Sequence, residues 1–392
     1  MMLAVTKPST MAHQHLTRPR RHRWGLLSYP DTRTAYALLG TRLAVCDYAK
    51  GGAVGLSLLQ VAPWVLGVLI VLAGAGYAFY RLSPWPRALF VRRAFTKDGV
   101  SKNAAIASLV PPGVSMLGDL QYAVGDGEAT LDVYFPSCIE GSATGLATIV
   151  WVHGGAWLAG DKSELSNYLR ILASHGFTVV GVNYSLAPGA TFPRPVVQLG
   201  EALRYLQDNA QALHVDPSRI LIAGDSAGAQ ISSQYGLIVS DPGYAAKIGI
   251  KPALEPRQLK GLVLCCGPYD AGAVNMNGAF GGFLSIVMWS YSGTRDFAND
   301  PRFALLSTKN FVTPAYPPVF ITGGNGDPLT PQSKALADIL GRLGVKVDTL
   351  FFSDSQQPKL PHEYQFVLDN PAGKLALDRI VSFARSQTAQ AE

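Results

Sequence analysis

Only four cysteines occur among 392 residues, at positions 46, 138, 265 and 266, and their spacing is not that of a metal site. Neighbouring cysteines such as Cys265 and Cys266 seldom bridge each other, and the four cysteines leave the redox compartment open. Charge is also scarce, at 15% Asp, Glu, Lys and Arg against 48% hydrophobic residues. That balance excludes a disordered chain and describes a packed protein with a membrane-like contribution. Internal repeats and low-complexity tracts are missing too. Acidic residues are nearly absent from the first quarter: residues 1 to 102 hold 14 Lys and Arg against 3 Asp and Glu, while the remainder holds 19 against 24. A mildly acidic C-terminal region makes nucleic acid an unsuitable partner. Basic residues flanking an apolar run point instead to anionic membrane lipid.

Charge vanishes altogether from Gly51 to Tyr80. At about 1.5 Å per residue this run is long enough to cross a bilayer as one helix. Trp64, Tyr77, Tyr80 and Trp85 suit the interfacial aromatic belts, and Arg81, Arg87, Arg92 and Arg93 follow directly. The competing readings are a buried core helix and a signal peptide cut after Ala73-Gly74-Ala75. Arg18, Arg20, Arg21 and Arg23 precede the run and a second basic cluster follows it, so the positive-inside rule selects neither face. The expected organisation is a basic, disordered segment at 1–50 and a single-pass anchor at 51–80. A linker or cap segment at 81–117 and a catalytic domain at 118–388 complete it. Met11 is an alternative start.

Beyond Leu117 apolar strand patterns alternate with helical periodicity. Strands are expected at 147–152, 178–182, 219–223, 261–265, 319–322 and 345–352, with helices at 196–213, 333–343 and 374–385. Such alternation implies a mostly parallel sheet covered by helices on both faces. The stretch 269–318, rich in glycine and aromatics, breaks the pattern and reads as a lid or pocket insertion, or as irregular packing.

The most informative segment is Ile220-Leu-Ile-Ala-Gly224-Asp-Ser226-Ala-Gly228, a strand running into G-x-S-x-G. A serine at the apex of such a strand-to-helix turn is a candidate nucleophile. Its hydroxyl needs a base within reach and a carboxylate to orient that base. Of seven histidines, His13, His15 and His22 precede the apolar run, His153 belongs to a glycine loop, and His175 and His214 sit near helix ends. His362 follows the last expected strand and is the candidate base. Asp327, after Gly323-Gly324-Asn325-Gly326, is the candidate acid, with Asp354 as rival and helix capping as the plainer role. In Trp151-Val-His153-Gly154-Gly155-Ala156-Trp157 the paired glycines let amides approach a ligand. Gly154, Gly155 and Ala227 are therefore expected as oxyanion donors. Asp225 and Asp270 read as structural. Trp157, Phe280, Phe283 and Trp289 are aromatic candidates for an acyl pocket, although aromatics more often pack cores.

The order His153-Gly-Gly-Ala-Trp157, Asn183-Tyr-Ser-Leu-Ala-Pro188, Gly224-Asp-Ser-Ala-Gly228, Asp327-Pro-Leu and His362 resembles the hormone-sensitive-lipase-like branch of the α/β-hydrolases, over roughly residues 118–385. The resemblance implies an α/β-hydrolase sheet, a cap formed partly before the first strand, and a serine esterase acting most commonly on carboxylic esters with modest acyl chains, with no metal or organic cofactor. Departures are Ala156 for a frequent third glycine, Gly189 for Glu, Ala229-Gln230 for Gly-Asn, and Glu363 after the histidine in place of Gly. The Ala156 change keeps the backbone donor; the others bear on substrate class. Amide or formamide hydrolysis uses the same triad, and an inactive binding protein on this fold is the reading from another class.

Overall fold

The computed structural model describes residues 58–273, 278 and 281–389; the basic segment 1–50, residues 51–57 of the expected anchor, and Phe280 lie outside them. Two units are distinguished, 1–73 and 74–392. The uncharged run becomes helix α1, Leu58–Leu82. Its stretch Val61–Leu82 has a mean hydropathy of 1.9 and no buried residue, so it is long and apolar enough to span a membrane. Helix α2, Trp85–Ala105, begins with Pro86 in its first turn, where a missing N–H costs nothing. Only Ala88 of α2 is fully buried. Polar side chains tether it instead: Arg92 donates to the carbonyls of Leu158 and Ala187, and Asn103 donates to the Ser163 carbonyl and Ser166 Oγ.

There follow β1 (Val114–Gln121), β2 (Thr130–Pro136), β3 (Leu146–Val152), α3 (Ser166–Ala173), β4 (Thr178–Val182), α4 (Arg194–Asp208), β5 (Val215–Asp225) and α5 (Ala227–Ser240). The chain continues through α6 (Pro242–Ile248), β6 (Leu259–Cys265), α7 (Gly281–Ser292), β7 (Val319–Gly323), α8 (Thr330–Arg342), β8 (Val347–Phe351) and α9 (Pro371–Thr388). The eight strands form one sheet in the order β1-β2-β4-β3-β5-β6-β7-β8. β2 runs antiparallel to both neighbours, and β4 through β8 with β3 are parallel. This is the α/β-hydrolase sheet. The six expected strands are present; β1 and β2, unforeseen, extend the sheet at its antiparallel edge.

Alternation along the central strands sorts their side chains between two cores. Val150, Val152, Ile220, Ile222, Leu262 and Leu264 face one side with α4, α5 and α8. Ile149, Trp151, Leu221, Ala223, Val263 and Cys265 face the other with α3 and α9. A strand apolar on both faces cannot lie at a solvated surface, which is why helices must cover both sides. The C-terminal ends of β3, β5 and β7, and the loop after β8, consequently converge at one sheet edge.

Candidate active site

Ser226 sits between β5 and α5 with φ 51° and ψ −118°, a conformation non-glycine residues occupy only when the surroundings impose it. The imposing contacts are visible. The Ser226 amide donates to the Cys265 carbonyl at 2.8 Å, and Gly228 packs so closely on β3 that a β-carbon there would collide with the Val152 carbonyl. The turn thus lifts the hydroxyl into a cavity of about 740 Å³.

The sequence-expected base and acid arrive from two further loops. His362 Nε2 lies 2.9 Å from Ser226 Oγ. On the far side of the ring, His362 Nδ1 lies 3.1 Å from Asp327 Oδ2, whose side chain is fully shielded from solvent. The two atoms face each other outside hydrogen-bond alignment, a looseness common before substrate binds. Asp327 is held in turn by the Leu329 amide, which donates to its Oδ1 at 2.9 Å. Burial disfavours the imidazolium of His362, but Cys266, Asp327 and Glu363 outweigh it and raise its pKa well above the usual histidine value.

The glycine loop after β3 requires one correction. The Gly154 amide, expected to face an oxyanion, donates to Asp225 Oδ2 at 2.8 Å, while Asp225 Oδ1 accepts from Trp151 Nε1 at 2.8 Å. A donor bound to a buried carboxylate is not available to substrate. The next two amides, of Gly155 and Ala156, and that of Ala227 make no backbone hydrogen bond among the described residues, and all three residues line the cavity. Gly155 has φ 107° and Ala156 φ 54°, so the loop turns sharply where those amides are presented. The unengaged amides therefore begin one residue along and include the position where Ala156 replaces the frequent third glycine.

Asp225 bridges Trp151 and Gly154, in keeping with the structural role its place beside Ser226 implied, and burial followed by the nearby Glu363 pushes its pKa up to about 8. Sequence reasoning did not foresee Glu363 at the site. With φ 60°, it takes the left-handed conformation that favours glycine at that place, and its Oε1 lies 3.8 Å from His362 Nε2. Lys102 of α2 pairs with its Oε2 at 3.0 Å and with Asp98 at 2.7 Å. Burial works against that ammonium, but the two carboxylates hold the lysine pKa well above normal. The one sequence signal for this arrangement was the departure from glycine after His362.

The remaining cavity wall is mainly apolar. Phe95 and Ile106 come from α2 and the turn after it, and Phe283, Val287 and Met288 from α7. Trp157 and Phe283 line it, Trp157 stacking on Tyr291 at 4.6 Å between centroids, whereas Trp289 lines a separate cavity. Cys266, Asp327 and His362 bring ligand-type atoms within 4.8 Å of one another. Two of those residues, His362 and Asp327, are the ones that approach Ser226 in succession, so the same atoms would have to leave those positions to hold an ion.

Fold and site together define an α/β-hydrolase with a serine, histidine and aspartate in line at its sheet edge. The chain belongs to the BD-FAE family, whose model matches residues 131–340, in agreement with the resemblance carried by the motifs. Among solved structures, esterase B from Lactobacillus rhamnosis is 23% identical, with a TM-score of 0.65, covering 77% of this chain and 97% of its own. EstE1, a thermophilic carboxylesterase from a metagenomic library, is 23% identical with a TM-score of 0.61, covering 79% and 98%. A hyperthermophilic esterase from Pyrobaculum calidifontis is 22% identical with a TM-score of 0.61, covering 78% and 92%.

Proposed function

We propose that this chain is a serine hydrolase that cleaves carboxylic esters through an acyl-enzyme and is held at a membrane by Val61–Leu82. The observation carrying the chemistry is the 2.9 Å approach of His362 Nε2 to the hydroxyl of the strained Ser226. Ser226 Oγ attacks the ester carbonyl while its proton passes to His362 Nε2. Asp327 orients the ring and stabilises the imidazolium. The oxyanion is met by the amides of Gly155, Ala156 and Ala227, dipoles fixed before charge develops. Collapse expels the alcohol, which takes the proton from His362. Water then repeats the sequence on the acyl-enzyme, regenerating the acid and free Ser226.

The esterase names of the structural neighbours support this reaction class. The apolar wall of a cavity of about 740 Å³ supports an apolar acyl or alcohol group as the bound part of a small-molecule ester. The membrane reading rests on the length and full exposure of the α1 segment. Purified protein is expected to turn over a p-nitrophenyl ester series of rising acyl length, with an optimum set by the cavity. Folded protein inactive across that series would remove the esterase reading, and faster turnover of matched aryl amides would replace it with an amidase.

A further inference from the structure

A second cavity, of about 340 Å³, is lined by Tyr80, Arg81, Arg87, Ser285, Trp289 and Arg295. Three arginines line it, and among the described residues none has a carboxylate within ion-pair distance. Asp296, next in sequence to Arg295, accepts instead from Asn299. The aromatic side chains build the cavity rather than neutralise it. Arg87 lies 5.1 Å from the Tyr80 ring centroid and 5.2 Å from that of Trp289, and Arg295 stacks on Trp289 at 4.2 Å. Arg87 Nε is shut off from solvent and, among the described residues, has no hydrogen-bond partner. A buried guanidinium donor left unsatisfied, beside two further cations, calls for an anion with several acceptor oxygens.

We propose that this cavity binds the phosphate of an anionic phospholipid headgroup. Phosphate matches guanidinium in planar, paired hydrogen bonds, and the Ser285 hydroxyl adds a neutral donor on the cavity wall. A lipid is the source because Tyr80 and Arg81 belong to the last turn of α1, the helix long enough to span a bilayer. Tyr77 and Trp85 flank the same place, where aromatic residues meet the headgroup layer. The negative end of the α1 dipole also lies here, but at about half a charge it is outweighed by three arginines. The inference rests on the reading of α1 as a membrane helix.

The test uses the full chain in detergent micelles, stripped of lipid and then offered phosphatidylglycerol, phosphatidylcholine or inorganic phosphate, with retained ligand counted by native mass spectrometry. Wild type is expected to retain phosphatidylglycerol in preference to phosphatidylcholine. Arg295→Gln, at an exposed position, should lose about fivefold of that preference, and Arg87→Gln with Arg295→Gln about twenty-five-fold, a factor of about five for each arginine. Equal retention of the two lipids, or a preference unchanged in both variants, overturns the proposal. Saturation by inorganic phosphate without retention of phosphatidylglycerol also overturns it, in favour of a soluble anion. Carbonate extraction of membranes reports separately on the anchor: release of the chain there defeats the membrane reading, whereas the micelle arms test the headgroup site itself.

Discussion

The sheet edge that carries Ser226 and the segments that cover it are built on different principles. At the edge, each group is fixed by a specific backbone or buried contact: a positive φ at Ser226 and Ala156, a carboxylate bridging Trp151 to Gly154, and an aspartate without solvent exposure. The cover, α2 with α7, offers apolar surface to the cavity and is joined to the edge by the Lys102–Glu363 ion pair. Chemistry at the edge depends on orientation, which needs rigid support, whereas substrate fit under the cover depends on surface and volume, which tolerate change.

The sharpest way to break the edge is to delete a member of the serine line. Ser226→Ala or His362→Ala should lower kcat on the order of 10⁴- to 10⁶-fold, read by ester hydrolysis with circular dichroism as the folding control. Next in size is Asp225→Ala, which leaves Trp151 Nε1 and the Gly154 amide without a buried acceptor. It should cost roughly 2–4 kcal/mol in urea unfolding, and unchanged stability would contradict the bridging role.

Glu363 tests the tie between edge and cover. A raised His362 pKa means that the imidazolium persists to higher pH, so kcat/KM should fall as pH drops through a value above that of free histidine. Glu363→Gln removes one carboxylate favouring the charged ring and should move that acid limb to lower pH; a limb that stays put would reduce Glu363 to packing. The smallest effect is expected in the cover itself. Val287→Phe or Met288→Ala should shift the preferred acyl length, mainly through KM, with kcat on the best substrate changed only a few-fold.

Legibility in the sequence followed the same division. The parallel strands were visible because residues buried on both faces read as continuous apolar runs, and the elbow because its glycines serve local geometry. β1 was not, since it is half-exposed at the sheet margin and carries Gly118 and Asp119 in its middle, and the buried β2 was missed with the partner it pairs with at that margin. Helix α2 gives no periodic signal, because Ala88 is its only buried residue and polar tethers hold it. The Gly154 amide was misassigned because its partner, Asp225, lies 71 residues away. Lys102 and Glu363, 261 residues apart, meet only once the fold is complete.

If His362 activates Ser226 as a nucleophile, a fluorophosphonate will react at that hydroxyl. After incubation of the folded, detergent-solubilised chain, peptide mapping should find the phosphonyl adduct on Ser226, with labelling lost in Ser226→Ala and strongly slowed in His362→Ala. Folded wild-type protein that remains unlabelled, or an adduct on another residue that persists in Ser226→Ala, would contradict it.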